Sequence, residues 1–118
     1  MTTPRPPVGL KAHGRALYRD ISAKYTLDPA EFELLRQLSR AVDTADALAA
    51  AIAKQGVSVP GSRGQLRPNP LLNDQRETAK LIARLCTELA LPIPGEGQGV
   101  RRAPAQRRQA KARLMYGR

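Results

Sequence analysis

The chain is poor in the residues that build metal sites, disulfides and aromatic cores. Among its 118 residues there are one cysteine, one histidine, no tryptophan, three tyrosines and one phenylalanine. Because Cys86 is alone, no intrachain disulfide and no cysteine-based zinc site can form. His13 has no second histidine or cysteine near it in the sequence, so we expect neither a bound metal nor a cofactor. The apolar content comes largely from Ala and Leu, which favours packed helices over a sheet sandwich.

Catalytic patterns and membrane spans are missing as well. The glycine-rich stretch 61–64 lacks the Lys-Ser/Thr pair of a phosphate-binding loop. The carboxylate pairs at 31 and 33 and at 43 and 46 have no histidine beside them in the sequence, and we expect them to form a solvated helix face. No apolar run approaches the roughly 20 residues that cross a bilayer. The sequence therefore predicts a soluble intracellular protein without enzymatic activity.

Positive charge is abundant and unevenly distributed. Twenty Lys and Arg stand against ten Asp and Glu, which gives a formal net charge of +10 and favours approach to a polyanion. Residues 28–55 are close to neutral, whereas residues 101–118 contain no acid. We therefore predict a flexible N-terminal arm over 1–9, a helical core over 10–94 and a basic flexible tail over 95–118. The tail residues expected to contact DNA are Arg101, Arg102, Arg107, Arg108, Lys111 and Arg113.

Apolar residues repeat with helical spacing in three segments. The first helix is predicted over about 10–25, and one side of it presents Lys11, Arg15 and Arg19 as a basic stripe that can follow a DNA backbone. The second is predicted to begin at Asp28-Pro29 and to end at about residue 55, before Gly56.

A hairpin and a third helix follow the second. The alternation over 57–59 and the return over 65–67 predict two short strands joined by a turn. The third helix is predicted to open at Asn69-Pro70 and to end at the prolines 92 and 94. The fold class is therefore mainly α, with three helices and one β-hairpin between the second and the third.

Two features predict self-association. The second half of the second helix is rich in alanine, which lets another helix approach closely, either within the subunit or from a neighbour. An isolated two-stranded hairpin is marginally stable in water and needs a surface to pack on. The residues predicted to mediate oligomerisation are Leu38, Val42, Ala45, Ala49, Ile52, Val57 and Val59.

The order of these elements resembles the small terminase subunits of tailed bacteriophages, the P27-like group in particular. The resemblance covers roughly residues 10–94 and rests on a glycine-closed helix, a short strand pair with a glycine at its turn, and Asn69-Pro70-Leu71-Leu72 opening a helix. It implies a ring-forming homo-oligomer in the bacterial host cytoplasm, outside the mature virion. That ring is expected to bind viral double-stranded DNA and to recruit and regulate the large terminase subunit, which carries the ATPase and nuclease. After Leu89 the sequence departs from the family pattern.

Two other functions are compatible with the same residues. A nucleic-acid-binding regulatory or ribosome-associated protein would share the basic tail without forming a ring. A structural virion or head-completion component would assemble without affinity for DNA.

Overall fold

The protein is mainly helical, with one small antiparallel hairpin, as the sequence predicts. A computed structural model describes residues 4–91. In chain order the elements are α1 (Ala12–Lys24), α2 (Pro29–Gln55), β1 (Ser58–Pro60), β2 (Leu66–Pro68) and α3 (Leu71–Glu88). The strands lie one residue later than predicted, with Val59 opposite Arg67.

Both ends of α2 follow from local chemistry. The Asp28 carboxylate accepts a hydrogen bond from the Glu31 amide (2.8 Å), and the Glu31 carboxylate accepts one from the Asp28 amide (3.1 Å). This capping box satisfies amides that have no partner within the helix. Glu31 is fully buried, so the prediction that it belongs to a solvated face is wrong. At the other end Gly56 stops the helix with φ +92°, as predicted.

Asn69 holds the end of α2 to the start of α3. Its side chain is buried, its Oδ1 accepts from the Leu71 amide (3.0 Å), and its Nδ2 donates to the Gly56 carbonyl (2.9 Å). The capping role predicted for Asn69 is therefore confirmed, although the helix begins at Leu71 rather than at Pro70. The backbone of the same residue also fixes the base of the hairpin, because the Asn69 main-chain amide donates to the Val57 carbonyl (2.8 Å).

The prediction that prolines end α3 is wrong. The helix ends at Glu88, where the Leu91 amide donates to the Cys86 carbonyl and the Ala90 amide to the Thr87 carbonyl, both at 3.0 Å. This pair of bonds is a Schellman motif, which requires a left-handed residue at the turn. That residue is Ala90, with φ +55°. The chain thus leaves the helix before either proline.

The buried core lies at one end of the helical pair. Helix α1 packs antiparallel on the first half of α2, and the last turns of α3 cover the same region. Between residues 43 and 84 no apolar side chain is fully buried. We call the second half of α2 (45–55), the hairpin and the first half of α3 (71–80) the distal half. Ala79 of α3 is exposed there. The core is formed by Leu10, Tyr18, Ile21, Leu27, Leu35, Leu38, Val42, Leu85 and Leu89.

The N-terminal arm is hydrogen-bonded to this core through Pro4. Tyr18, buried with its ring 6.3 Å from that of Phe32, donates its hydroxyl to the Pro4 carbonyl (3.0 Å). This hydrogen bond joins the arm to α1 at Pro4. The flexibility predicted for residues 1–9 stays a prediction.

Candidate nucleic-acid interface

The basic stripe predicted on α1 is exposed. Lys11, Arg15 and Arg19 all lie on the protein surface, one helical turn apart, at intervals of about 6 Å along the axis. The Arg15 guanidinium also donates to the Leu10 carbonyl (3.0 Å), which holds the side chain at the start of the helix. The stripe therefore presents three cations along one line. Their contact with DNA stays a prediction.

The N-terminus of α1 is closed by a carboxylate from α2. Asp43 accepts hydrogen bonds from the backbone amides of Lys11 and Gly14, both at 2.7 Å. Gly14 allows this approach, because a Cβ there would lie 2.4 Å from the Ser39 carbonyl oxygen. Helix N-termini often bind phosphate through such amides. Here Asp43 already occupies the helix N-terminus. A phosphate group can therefore bind at this end of α1 only through the basic side chains of the stripe.

The second member of that acidic pair also connects the two helices. Asp46 lies 2.8 Å from Nδ1 of His13, and both side chains are more than half exposed. Asp46 is exposed, as expected, but the expectation that no histidine lies near this pair of carboxylates is wrong, because antiparallel packing brings His13 of α1 against Asp46. An exposed pair of this kind contributes little to stability, at most about 1 kcal/mol.

Sequence reasoning missed a fourth cation beside the stripe. Arg40 on α2 and Lys11 line the same shallow groove, which runs between the turn before α1 and the exposed side of α2. Along α2 alone, Arg40 is one base in a nearly neutral segment, and no pattern marks it. Only the packing of α1 on α2 brings it next to the stripe.

The predicted oligomerisation residues fall into two groups. Leu38 and Val42 are buried in the core of their own subunit, so they are removed from any interface between subunits. The other five lie in the distal half, where Ala45, Ile52 and Val59 are half-buried and Ala49 and Val57 are exposed. Val57 is 65% exposed and Leu66, on the opposite strand, 74%. In this register the two side chains lie on opposite faces of the hairpin, and both are largely uncovered within the described residues.

The hairpin cannot readily accept a third strand. In its register the odd-numbered residues of the two strands lie opposite each other, in the pairs 57 and 69, 59 and 67, and 61 and 65. Hydrogen bonds between the strands are made at these odd-numbered positions. The Asn69 amide donates to the Val57 carbonyl at one end, and the Gly61 amide donates to the Gln65 carbonyl at the other. Backbone groups of the even-numbered residues therefore point outward. Two of those positions are Pro60 and Pro68, which have no N–H group. Each edge is left with a single outward amide, and a partner must meet the hairpin through side chains.

Some predicted sites cannot be placed. The basic tail residues Arg101, Arg102, Arg107, Arg108, Lys111 and Arg113 lie outside the described residues. Within residues 4–91 no group of three or more His, Cys, Asp and Glu side chains is arranged to hold a metal ion. In the same range no helix is both long and apolar enough to span a membrane.

Comparison with known proteins identifies the family. A family model described as phage terminase, small subunit, matches residues 11–98, which is well over half of the chain and includes all three helices and the hairpin. No curated protein and no solved structure matches significantly. The chain therefore belongs to the small-subunit family of phage terminases, whose role lies in phage DNA packaging.

Proposed function

We propose that the chain forms a homo-oligomeric ring in the host cytoplasm, binds viral double-stranded DNA and recruits and regulates the large terminase subunit. The observation that carries the DNA-binding part is the exposed stripe of Lys11, Arg15 and Arg19 with Arg40 beside it. Family membership supports the partner, because small terminase subunits act with a large subunit in packaging.

The stripe suits a duplex better than a single strand. Its cations follow one line, as contacts to a phosphate backbone require. Non-specific binding to single strands usually adds aromatic side chains on which bases stack. The described residues contain only three aromatic side chains, Tyr18, Tyr25 and Phe32, and all three pack in or against the core. Affinity should therefore come from charge and fall steeply with salt.

The test replaces the stripe and compares it with a matched stripe elsewhere. In K11Q/R15Q/R19Q three cations are lost from α1. In R76Q/K80Q/R84Q three are lost from α3 at the same spacing and with the same exposure. We expect the α1 variant to lower the slope of log K against log salt by about 2 to 3 on duplex DNA. The α3 variant should change it by less than about 1. An equal decrease of this slope in both variants would show that duplex binding depends on the net charge of the protein and not on the position of the stripe.

The distal half supports self-association. Within residues 4–91 none of its apolar side chains is fully buried, its alanine-rich surface permits close approach, and Val57 and Leu66 are exposed. A chain of this size with a thin core gains stability by covering such a surface with copies of itself. A ring requires two different surfaces of each subunit to meet head to tail.

Light scattering tests the assembly directly. We expect the full chain to give a closed mass of many subunits at moderate salt, with and without duplex DNA. Ala49→Glu places a charge in the distal half and should reduce that mass. Ala23→Glu changes an exposed alanine on α1 and should leave it unchanged. A wild-type monomer or dimer that still binds DNA would favour a regulatory protein without a ring. A closed assembly without DNA affinity would favour a structural virion component.

The basic tail is proposed to reach DNA or the large subunit. Seven of the twenty Lys and Arg lie in residues 101–118, with no acid among them. Deletion of residues 101–118 should weaken duplex binding at moderate salt if the tail contacts DNA. Unchanged DNA binding together with lost capture of the large subunit would assign the tail to that protein instead.

A further inference from the structure

We propose that the β-hairpin is a second contact for duplex DNA, in which Arg63 at the turn and Arg67 on β2 meet phosphates. This inference rests on the proposed DNA-binding function and adds a surface separate from the α1 stripe. It also assigns a binding role to the glycine-rich turn 61–64, which has no catalytic pattern.

Charge around the hairpin is of one sign. From residue 47 to residue 73 the sequence contains no acid, and its three bases are Lys54, Arg63 and Arg67. All three are exposed, and none forms an ion pair within the described part of the chain. On α3, by contrast, the exposed Lys80 forms an ion pair with Glu77 (3.3 Å). The hairpin and its flanks therefore carry positive charge that no nearby acid in the sequence offsets, which is a charge pattern that attracts a polyanion.

The turn is held in shape by its own bonds. The Gly64 amide donates to the Gly61 carbonyl (3.0 Å), and the Arg63 amide donates to the side-chain oxygen of Gln65 (3.1 Å). Gly64 adopts φ +82°, which a side chain would disfavour, and Gly61 lies against the Gln65 amide group. The backbone beneath Arg63 is therefore fixed before any partner binds. Less entropy is lost when such a turn binds than when a flexible loop does.

The hairpin also has the shape and the free surface for a duplex. A two-stranded ribbon fits the major groove of B-form DNA, where its basic side chains reach both phosphate edges. Because Pro60 and Pro68 block its edges, side chains rather than backbone groups are available to a partner. Every residue from 62 to 68 is exposed, so the helices of the same subunit leave Arg63 and Arg67 free.

The experiment measures the salt dependence of duplex binding for the full chain. R63Q/R67Q removes the two hairpin cations. The matched control R76Q/R84Q removes two exposed arginines of α3. R63K/R67K keeps the charge. A 30-base-pair duplex serves as probe, and circular dichroism and light scattering measure the fold and the assembly mass of each variant. We expect R63Q/R67Q to lower the slope of log K against log salt by about 2, whereas R63K/R67K and the control keep it within about 0.5 of wild type.

The outcomes separate this inference from the function on which it rests. If wild type fails to bind the duplex at low salt, the proposed function itself is wrong. If wild type binds and R63Q/R67Q keeps its slope, only the hairpin contact is overturned. A lower assembly mass in R63Q/R67Q with an unchanged slope would also overturn it and assign the arginines to an interface between subunits.

Discussion

Replacement of Gly14 by alanine tests the packing of α1 on α2, because two effects oppose each other there. Position 14 lies inside a helix, where alanine is more favourable than glycine by about 1 kcal/mol. From propensity alone, Gly14→Ala would stabilise the protein. The structure predicts the opposite sign.

The added methyl group has no room. It would lie 2.4 Å from the Ser39 carbonyl oxygen and 2.5 Å from Asp43 Oδ2. The carbonyl belongs to the backbone of α2, so α1 has to withdraw by roughly 1 Å to restore a normal contact. That movement stretches the two 2.7 Å bonds from Asp43 to the amides of Lys11 and Gly14. Overpacking of this kind costs about 1 to 3 kcal/mol, and each bond to a charged group contributes about 1.5 to 3 kcal/mol.

These costs exceed the gain in propensity, so we expect Gly14→Ala to lower the free energy of unfolding by about 2 kcal/mol. For a domain of this size the Tm should fall by roughly 10 °C. Circular dichroism at a fixed protein concentration measures the shift, since self-association makes Tm depend on concentration. Gln37→Ala, an exposed change in α2, is the control and should stay within about 0.5 kcal/mol of wild type. A variant as stable as wild type, or more stable, would refute the close approach of the helices.

Three further changes probe other parts of the fold. Ala90→Gly should raise the free energy of unfolding by about 0.5 to 1 kcal/mol, because Ala90 has φ +55° and glycine adopts it without strain; a lower Tm would contradict this. Asn69→Ala should lower it by about 1 to 3 kcal/mol, since the Gly56 carbonyl and the Leu71 amide lose their side-chain partner; unchanged urea denaturation would exclude that role. Burial raises the pKa of the Cys86 thiol, so its alkylation by iodoacetamide should reach half-maximal rate at a higher pH in the folded chain than in urea. Coincident pH profiles would contradict it.

The starts of α2 and α3 and the hairpin were predictable because the residues that fix them are local. Asp28 with Pro29 specifies the start of α2, and a glycine able to adopt φ +92° specifies its end. The cap of α3 by Asn69 is equally local. The helical spacing of apolar residues indicates one apolar side of α2, and there Leu35, Leu38 and Val42 are buried within their own subunit.

The end of α3 was not predictable from the same rules. Ala90 adopts a left-handed conformation that the sequence gives no reason to expect of alanine. Its Schellman bonds bring Leu91 back onto the core, where Leu91 and Cys86 pack. Burial of these side chains compensates for the local strain. Tertiary packing therefore decides where this helix stops.

The candidate site was only partly predictable for a related reason. The stripe on α1 follows from spacing within one helix, which is visible in the sequence. Arg40 joins it, and Asp43 closes the helix N-terminus, only because α1 and α2 pack antiparallel. Their sequence separations from Lys11 are 29 and 32 residues, and no local pattern connects positions so far apart.

The two prolines of the hairpin have a consequence for the behaviour of the protein at high concentration. Exposed two-stranded ribbons with apolar side chains can join edge to edge and grow into fibrils, because each added strand offers a new edge. Pro60 lies on one strand and Pro68 on the other, so each edge lacks one of the N–H groups with which an added strand would form hydrogen bonds. The chain can therefore display Val57 and Leu66 openly without starting an amyloid-like polymer.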